Sequence, residues 1–250
     1  MVYQRAIRES RHKLEPLKTD RFVKISERED RCDLPESAWS IILQDSYLQT
    51  HKGVILAKGI MQVSLYPMLL FELKPKTIIE LGAFNGGSAI WLADNLELFG
   101  IKGSVYSVDI DISLLDDTAK ADSRIHFLEG DCNRISAVLP QEQLSQLPHP
   151  WLIIEDAHVN LIGVLDHFHQ NGLQIGDYLI VEDTNKILDS KDIWKSLGDL
   201  EESDLLAGRK MDDLRKWLVT HQDEYLVDTY YLDRYGYNVS KNWNSILKRV

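Results

Sequence analysis

Cysteine is scarce in this sequence, where Cys32 and Cys132 are the two cysteines among 250 residues. Two cysteines so far apart form neither a disulfide framework nor a zinc-binding motif. This low cysteine content is typical of a reducing compartment, so we expect a cytoplasmic protein.

Long hydrophobic runs and an excess of basic residues are absent too. No apolar run approaches the roughly 20 residues that cross a bilayer, and the charged first residues lack the apolar stretch of a signal peptide, so we expect none. Acidic residues outnumber basic ones by 39 to 28, which gives a net charge of −11. Because nucleic acids and anionic membranes bind basic surfaces, we expect neither as a main partner.

Charged residues of both signs dominate the N-terminal part of the chain. Residues 1–36 contain nine Lys or Arg and eight Asp or Glu, which is typical of a solvated helix or a flexible arm. A lid folded over an active site is the alternative. We therefore predict a helical arm or lid over residues 1–46 and the main domain over residues 47–250.

Apolar periodicity predicts helices over Ser37–Gln49 and Ile60–Leu73. The apolar face of the first helix is expected in the core and consists of Trp39, Ile42, Leu43 and Tyr47.

Short apolar runs then alternate with helical segments. Five runs are predicted as strands: Thr77–Glu80, Ser104–Asp109, Ile125–Glu129, Trp151–Ile154 and Asp177–Val181. Residues 190–221 are predicted to be mostly helical. The last two predicted strands form an antiparallel pair joined by a short loop near Gly236: Tyr225–Leu232 and Trp243–Arg249. The alternation predicts a Rossmann-like, doubly wound α/β fold with a mostly parallel, seven-stranded sheet.

A glycine-rich turn follows the first of these strands, within the stretch TIIELGAFNGGSAIWL. A strand, a glycine turn and a helix in this order are typical of a site for a nucleotide-like cofactor. Phe84 stands where the dinucleotide fingerprint needs a glycine, and the P-loop lysine is absent. The spacing E-x-G-x-x-x-G-x-S instead resembles motif I of class I S-adenosylmethionine (SAM) methyltransferases. The alternative is a glycine turn without a ligand. The predicted cofactor-binding residues in this turn are Glu80, Gly82, Phe84, Gly86 and Ser88.

Two aspartates are predicted to extend this cofactor site. Asp109 ends the second predicted strand, where an acid commonly binds ribose hydroxyls, and Asp111 is the alternative. Asp131 follows the third strand, in a loop that usually flanks the adenine. A simple turn aspartate is the other interpretation of Asp131.

Two pairs of acidic residues follow the fourth and fifth predicted strands: Glu155-Asp156 and Glu182-Asp183. The carboxyl ends of neighbouring parallel strands converge, and clustered carboxylates repel each other unless a cation neutralises them. The pairs therefore predict a metal site. Oxygen ligands favour Mg²⁺, with Mn²⁺ or Ca²⁺ as alternatives. Solvated loop carboxylates are the other interpretation.

His158 lies three residues after Glu155 and is the candidate general base, because imidazole is well suited to proton transfer near neutral pH. Such a base would take the proton from a substrate hydroxyl held by the metal, and the oxygen would then attack the methyl group of SAM. His167 and His169 lie in the following predicted helix and are interpreted as structural.

Five segments together resemble the cephalosporin hydroxylase / rhamnosyl O-methyltransferase family: Lys52–Lys58, Lys74–Ala93, Val105–Asp111, Ile153–Asn160 and Gly176–Thr184. The tail, Ser240–Val250, is similar to the last strand of that family. The resemblance implies a SAM-dependent, metal-assisted methyltransferase that acts on a small hydroxylated metabolite, either a sugar or a natural product.

The family pattern also implies roles for single residues. By that pattern the metal ligands are Glu155, Glu182 and Asp183, and His158 is the catalytic base. The family usually has aspartate at the first ligand position, where this chain has Glu155 with Asp156 beside it, so both stay candidates.

Two other functions stay open. One is a hydroxylase, although a non-haem iron site needs two histidines and one carboxylate, and the acid pairs have only His158 nearby. The other is a non-catalytic protein of the same fold that binds a partner and tolerates loss of Glu182 or His158. The identity of the methyl acceptor and a homo-oligomeric state are left open.

Overall fold

The fold is built on one large β-sheet, seen in a computed structural model that describes residues 2–44, 48–189 and 207–250. Ten strands are found in these ranges: β1 Phe22–Val23, β2 Thr50–His51, β3 Val54–Ile55, β4 Thr77–Leu81, β5 Ser104–Asp109, β6 Ile125–Glu129, β7 Trp151–Glu155, β8 Tyr178–Val181, β9 Tyr225–Asp228 and β10 Ile246–Arg249. The described α-helices are α1 Val2–Thr19, α2 Glu36–Gln44, α3 Ile60–Leu73, α4 Gly87–Leu98, α5 Asp117–Lys120, α6 Ile135–Val138, α7 Gln141–Leu144, α8 Leu161–Asn171, α9 Ala207–Thr220 and α10 Thr229–Leu232.

The main sheet has the strand order β1-β9-β10-β8-β7-β4-β5-β6. The five strands from β8 to β6 are parallel to each other, whereas β10, β9 and β1 add antiparallel pairs at one edge. The predicted doubly wound, mostly parallel α/β fold is therefore confirmed. The sheet has eight strands rather than seven, because the two-residue strand β1, too short for a periodicity signal, joins its edge.

The central strands are buried on both faces. Every residue of β4, β7 and β8 is buried, as expected for parallel strands that helices cover on each side. These strands bring the acidic residues that follow them to one edge of the sheet.

The C-terminal part of the sheet differs in detail from the sequence prediction. The antiparallel pairing of β9 with β10 is confirmed. However, β9 ends at Asp228, because the Asp228 side chain accepts a hydrogen bond from the Tyr230 amide and caps α10. The connection to β10 therefore spans residues 229–245 and includes this helix instead of a short loop.

Two predicted helices are only partly within the described residues. The helix predicted over Ser37–Gln49 is observed as α2, and Trp39 is fully buried while Ile42 is half-buried. The side chains of Leu43 and Tyr47 lie outside the description. Of the helical segment predicted over residues 190–221, only α9 falls within the described ranges.

The N-terminal part of the chain begins with α1, whose described side chains are almost all exposed, as predicted for a solvated helix. After it, Arg21 pairs with Asp228 of β9 at 3.0 Å, and Arg28 pairs with Asp233 at 2.7 Å. Both arginine side chains are buried, so this segment is attached to the sheet edge. A boundary after residue 46 stays a prediction. None of the described helices is both long and apolar enough to cross a bilayer.

Candidate functional site

A cavity of about 480 Å³ opens at the carboxyl ends of β4, β5, β7 and β8. Its size is that of a typical small-molecule site. Its wall is formed by Ala57, Gly82, Phe84, Val108, Asp109, Ile110, Leu114, Gly130, Asp131, Cys132, Asn133, Asp156, Ala157, His158, Val159, Asp183 and Lys241. None of these residues comes from the described part of the N-terminal 44 residues, and a lid formed by this part of the chain stays a prediction.

The glycine turn shapes one end of the cavity. Gly82 has a φ of +102°, and a Cβ atom there would lie 2.6 Å from the backbone oxygen of Asp156. The turn after β4 therefore needs glycine because the loop after β7 passes directly against it. Gly86 also has a positive φ, and a Cβ atom there would lie 2.5 Å from Cβ of Ala119, so this glycine is required by packing against α5.

Four of the seven residues predicted to bind the cofactor line the cavity: Gly82, Phe84, Asp109 and Asp131. The other three, Glu80, Gly86 and Ser88, lie behind its wall. Glu80 is fully buried and accepts a hydrogen bond of 2.7 Å from Ser107. A direct role of these three residues in cofactor binding stays a prediction.

The aspartate at the end of β5 is held in place by the glycine turn. Oδ2 of Asp109 accepts a hydrogen bond of 2.7 Å from the Phe84 amide, and Oδ1 accepts one from the Asp111 amide. Asp111, the alternative, instead caps the short 3₁₀ turn Ile112–Leu114. Asp131 caps the next 3₁₀ turn by accepting from the Asn133 amide, and it lines the cavity as well.

A cluster of charged side chains, which we call the acid–lysine cluster, reaches the cavity through Asp156, Asp183 and Lys241. Its acids are Glu80, Glu155, Asp156, Glu182 and Asp183, and its lysines are Lys58, Lys210 and Lys241. The five carboxylates outnumber the three lysines, so the cluster has a formal charge of −2.

Lys58 is the centre of this cluster. Its side chain is 2% exposed, and its Nζ lies 2.6 Å from Oδ2 of Asp156, 2.9 Å from Oε1 of Glu182 and 3.9 Å from Oε1 of Glu80. Burial alone would lower the pKa of Lys58, but these acids outweigh burial and raise the pKa well above its usual value. Lys58 therefore stays charged and holds Asp156 and Glu182 together.

Consecutive acids of each predicted pair face in different directions. The Asp156 and Asp183 side chains are 21% and 18% exposed and line the cavity, whereas Glu155 and Glu182 are fully buried and do not. At the second pair the division coincides with a change in the backbone, because Asp183 has a φ of +57° and so leaves the extended conformation of β8. The backbones of the two pairs are joined because the Glu182 amide donates to the Glu155 carbonyl at 2.8 Å.

The buried glutamates each have a partner in the interior. Glu155 lies 3.0 Å from Nζ of Lys210. Oε1 of Glu182 accepts a hydrogen bond of 2.7 Å from Tyr66, while its Oε2 has no hydrogen-bond partner in the described part of the chain. Burial raises the pKa of Glu182 to about 7, and the charge of Asp156 adds to this effect.

The pKa of Asp183 shifts in the opposite direction to that of Glu182. Burial raises its pKa, but Lys241 and Lys210 outweigh burial and hold the pKa below its usual value. Nζ of Lys241 lies 2.9 Å from Oδ1 of Asp183. Asp183 is therefore a charged carboxylate on the cavity wall, which is the state that a hard cation requires.

His158 is exposed and lines the cavity. It also lines a neighbouring cavity of about 280 Å³, together with Asn160, Arg209, Lys210 and Asp213. The imidazole thus stands where the two cavities meet. His158 could be found from its position three residues after Glu155, whereas the three lysines could not, because nothing in the sequence near each lysine indicates which acid it meets.

A doubly wound sheet with a glycine turn and clustered acids at its carboxyl edge is the architecture of class I methyltransferases. The model of the Rhamnosyl O-methyltransferase/CmcI family matches residues 44–250. The chain therefore belongs to this family, and the resemblance found in the sequence is confirmed.

Curated relatives with the name Rhamnosyl O-methyltransferase include those of Mycobacterium tuberculosis (strain ATCC 25618 / H37Rv) and Mycobacterium leprae (strain TN). The first is 31% identical over 140 residues, which are 54% of this chain and 57% of the relative. The second is 32% identical over 142 residues, with 54% and 60% covered. The chain thus matches somewhat more than half of the length of these relatives.

Solved structures give longer matches. The structure described as CmcI-D160 with Mg-SAM is 27% identical with a TM-score of 0.64, over 92% of this chain and 91% of that chain. The apo structure of CmcI-N160 has the same identity and TM-score over 89% and 87%. A caffeoyl-CoA O-methyltransferase from Staphylococcus aureus, at 14% identity and a TM-score of 0.52 over 76% and 83%, is similar in fold alone.

The contact between the glycine turn and the β7 loop can be tested with Gly82→Ala, matched by Gly176→Ala. Gly176 has a φ of +99°, but a Cβ atom there would meet nothing within 4 Å. The left-handed conformation should cost both variants about 1–2 kcal/mol. We expect Gly82→Ala to lose clearly more unfolding free energy than Gly176→Ala, because only the Gly82→Ala side chain also meets the Asp156 backbone. Urea denaturation measures both losses, and equal losses would contradict the contact.

Proposed function

We propose that this protein is a SAM-dependent, Mg²⁺-assisted O-methyltransferase that acts on a hydroxyl group of a small metabolite. One observation carries the proposal: Gly82 and Asp109 line the same cavity as Asp156, His158 and Asp183. A cofactor and a metal-assisted base would therefore act on the same substrate atom. The CmcI structure with Mg-SAM, similar over most of both chains, supports the pairing of these two ligands.

The cofactor would bind at the glycine-turn end. The Gly82 backbone is accessible there, and Asp109 is fixed by the Phe84 amide so that its carboxylate can accept hydrogen bonds from ribose hydroxyls. Ile110 and Leu114 line the same cavity and offer an apolar surface for the adenine.

The acid–lysine cluster fits a divalent cation. Its acids offer oxygen ligands, its formal charge is negative by two, and Oε2 of Glu182 lacks a hydrogen-bond partner in the described residues. Asp156 and Asp183 would hold the ion because both face the cavity. Asp156 is preferred over Glu155 as the first ligand, because Asp156 lines the cavity whereas the Glu155 side chain is fully buried behind it. When bound, Mg²⁺ supplies Lewis acidity that lowers the pKa of the acceptor hydroxyl group.

The chain's own residues would then position the reactants and move one proton. His158 accepts the proton of the acceptor hydroxyl, the oxygen forms a bond to the methyl carbon, and the bond from that carbon to the sulfonium sulfur breaks. The products are a methyl ether and S-adenosylhomocysteine. Lys58 and Lys241 hold Asp156 and Asp183 in place through ion pairs of 2.6 and 2.9 Å.

The acceptor would enter through the cavity that shares His158. Asn160, Arg209 and Asp213 line this space and can form hydrogen bonds with an acceptor that carries several hydroxyl groups. The names of the curated relatives support a sugar such as rhamnose. A hydroxylase is less well supported, because His158 is the one histidine that lines the main cavity in the described part of the chain.

The base is tested by His158→Gln, with His12→Gln on the exposed surface of α1 as the matched control. Labelled SAM would be supplied with a panel of rhamnose-containing and other sugar acceptors, and rates compared on the first acceptor that the wild-type protein methylates. We expect His158→Gln to slow transfer by about 10²–10⁴-fold with unchanged affinity for S-adenosylhomocysteine. A wild-type rate would exclude His158 as the base.

The choice of metal ligands is tested by Asp156→Asn and Asp183→Asn against Glu155→Gln. Titration with Mn²⁺, followed by electron paramagnetic resonance in the presence of S-adenosylhomocysteine, measures metal affinity directly. We expect the aspartate variants to lose most of their affinity, because their side chains face the cavity, and Glu155→Gln to keep it. Loss in Glu155→Gln with retention in Asp156→Asn would reverse the assignment.

A further inference from the structure

A second group of potential metal ligands lies far from the cavity. His169 is in the last turn of α8, and His221 and Glu224 follow α9 just before β9. The helix α8 starts at Leu161, just after the cavity residues, so His169 lies about 12 Å further along the helix axis. The group is therefore at the opposite edge of the sheet, near the amino ends of the parallel strands.

The three side chains converge. One ligand atom from each of His169, His221 and Glu224 can be chosen so that all three lie within 4.8 Å of one another. Nε2 of His169 is 3.9 Å from Oε2 of Glu224. All three residues are half-buried, so their side chains are constrained but accessible to an ion from solvent.

The remaining polar atoms of these side chains are already bound. Nδ1 of His221 lies 2.8 Å from the Trp217 carbonyl oxygen, which can only accept, so Nδ1 carries the proton and Nε2 has the free electron pair. Nδ1 of His169 is 3.1 Å from the Tyr225 hydroxyl, and Arg249 donates to Oε1 of Glu224 at 2.7 Å. Such partners orient the histidines and carboxylates of metal sites.

The local charges are compatible with an ion. Arg249 lies beside the group, and the carboxylate of Glu224 neutralises this arginine through their ion pair.

We propose that His169, His221 and Glu224 form a binding site for Zn²⁺ or a similar late first-row divalent ion. Two imidazoles and one carboxylate are a ligand set that Zn²⁺ accepts, with water at the fourth position. The ion would join the end of α8 to the segment between α9 and β9, away from the main cavity, which these residues do not line. This site is independent of the proposed methyl transfer and does not require it.

The test is a calorimetric titration of metal-free protein with Zn²⁺ in excess Mg²⁺, which would compete for the acid–lysine cluster. The wild-type protein should bind one Zn²⁺ and melt at a higher temperature when loaded. His221→Gln and Glu224→Gln should each lose this binding, whereas His12→Gln, which removes an exposed histidine of α1, should not. Tyr225→Phe, which removes only the partner of His169, should weaken binding by about 10–100-fold.

Co²⁺ gives a second readout that does not depend on stability. The wild-type protein should show the visible absorption of a four-coordinate Co²⁺ ion, and His221→Gln should not. Circular dichroism establishes that each variant is folded. Absence of Zn²⁺ binding by the wild-type protein, or equal binding by folded His221→Gln and Glu224→Gln, would overturn the proposal.

Discussion

The balance of buried charge at the carboxyl edge of the sheet is the constraint on which the site depends. The strands β4, β7 and β8 bring Glu80, Glu155 and Glu182 together in the interior, where carboxylates without partners would be strongly unfavourable. Three lysines from separate elements compensate them: Lys58 precedes α3, Lys210 lies on α9 and Lys241 precedes β10. The ion pairs that compensate the buried carboxylates therefore also fix the surrounding elements relative to the sheet.

This arrangement separates structural acids from acids that can act on a ligand. Glu155 and Glu182 face the interior and their lysines, while Asp156 and Asp183 face the cavity with His158. The incomplete neutralisation matters as much as the ion pairs, because a cluster with equal numbers of acids and lysines would have little reason to bind a cation. In the proposed mechanism, the lysines hold the two aspartates while the remaining negative charge attracts Mg²⁺.

Much of the fold was predictable from local sequence. Ser104–Asp109, Ile125–Glu129 and Ile60–Leu73 have the predicted bounds, because apolar runs and turn residues mark their ends. The glycine turn and the acid pairs also lie at the carboxyl edge of the parallel strands, as predicted. Three features were not predictable. They are the different directions in which the Glu155 and Asp156 side chains point, the two-residue strand β1, and the ion pair of Lys58 with Asp156, which is 98 positions away in the chain. Each depends on tertiary packing and not on local pattern.

The most direct test is calorimetric binding of SAM, S-adenosylhomocysteine and NAD to the wild-type protein, each with and without Mg²⁺. SAM and S-adenosylhomocysteine are expected to bind, and NAD is not, because Phe84 stands where the dinucleotide fingerprint needs a glycine. A ligand present at 100 times its Kd would also stabilise the fold by about 2.7 kcal/mol. Binding of NAD without binding of either SAM or S-adenosylhomocysteine would contradict the proposed methyltransferase.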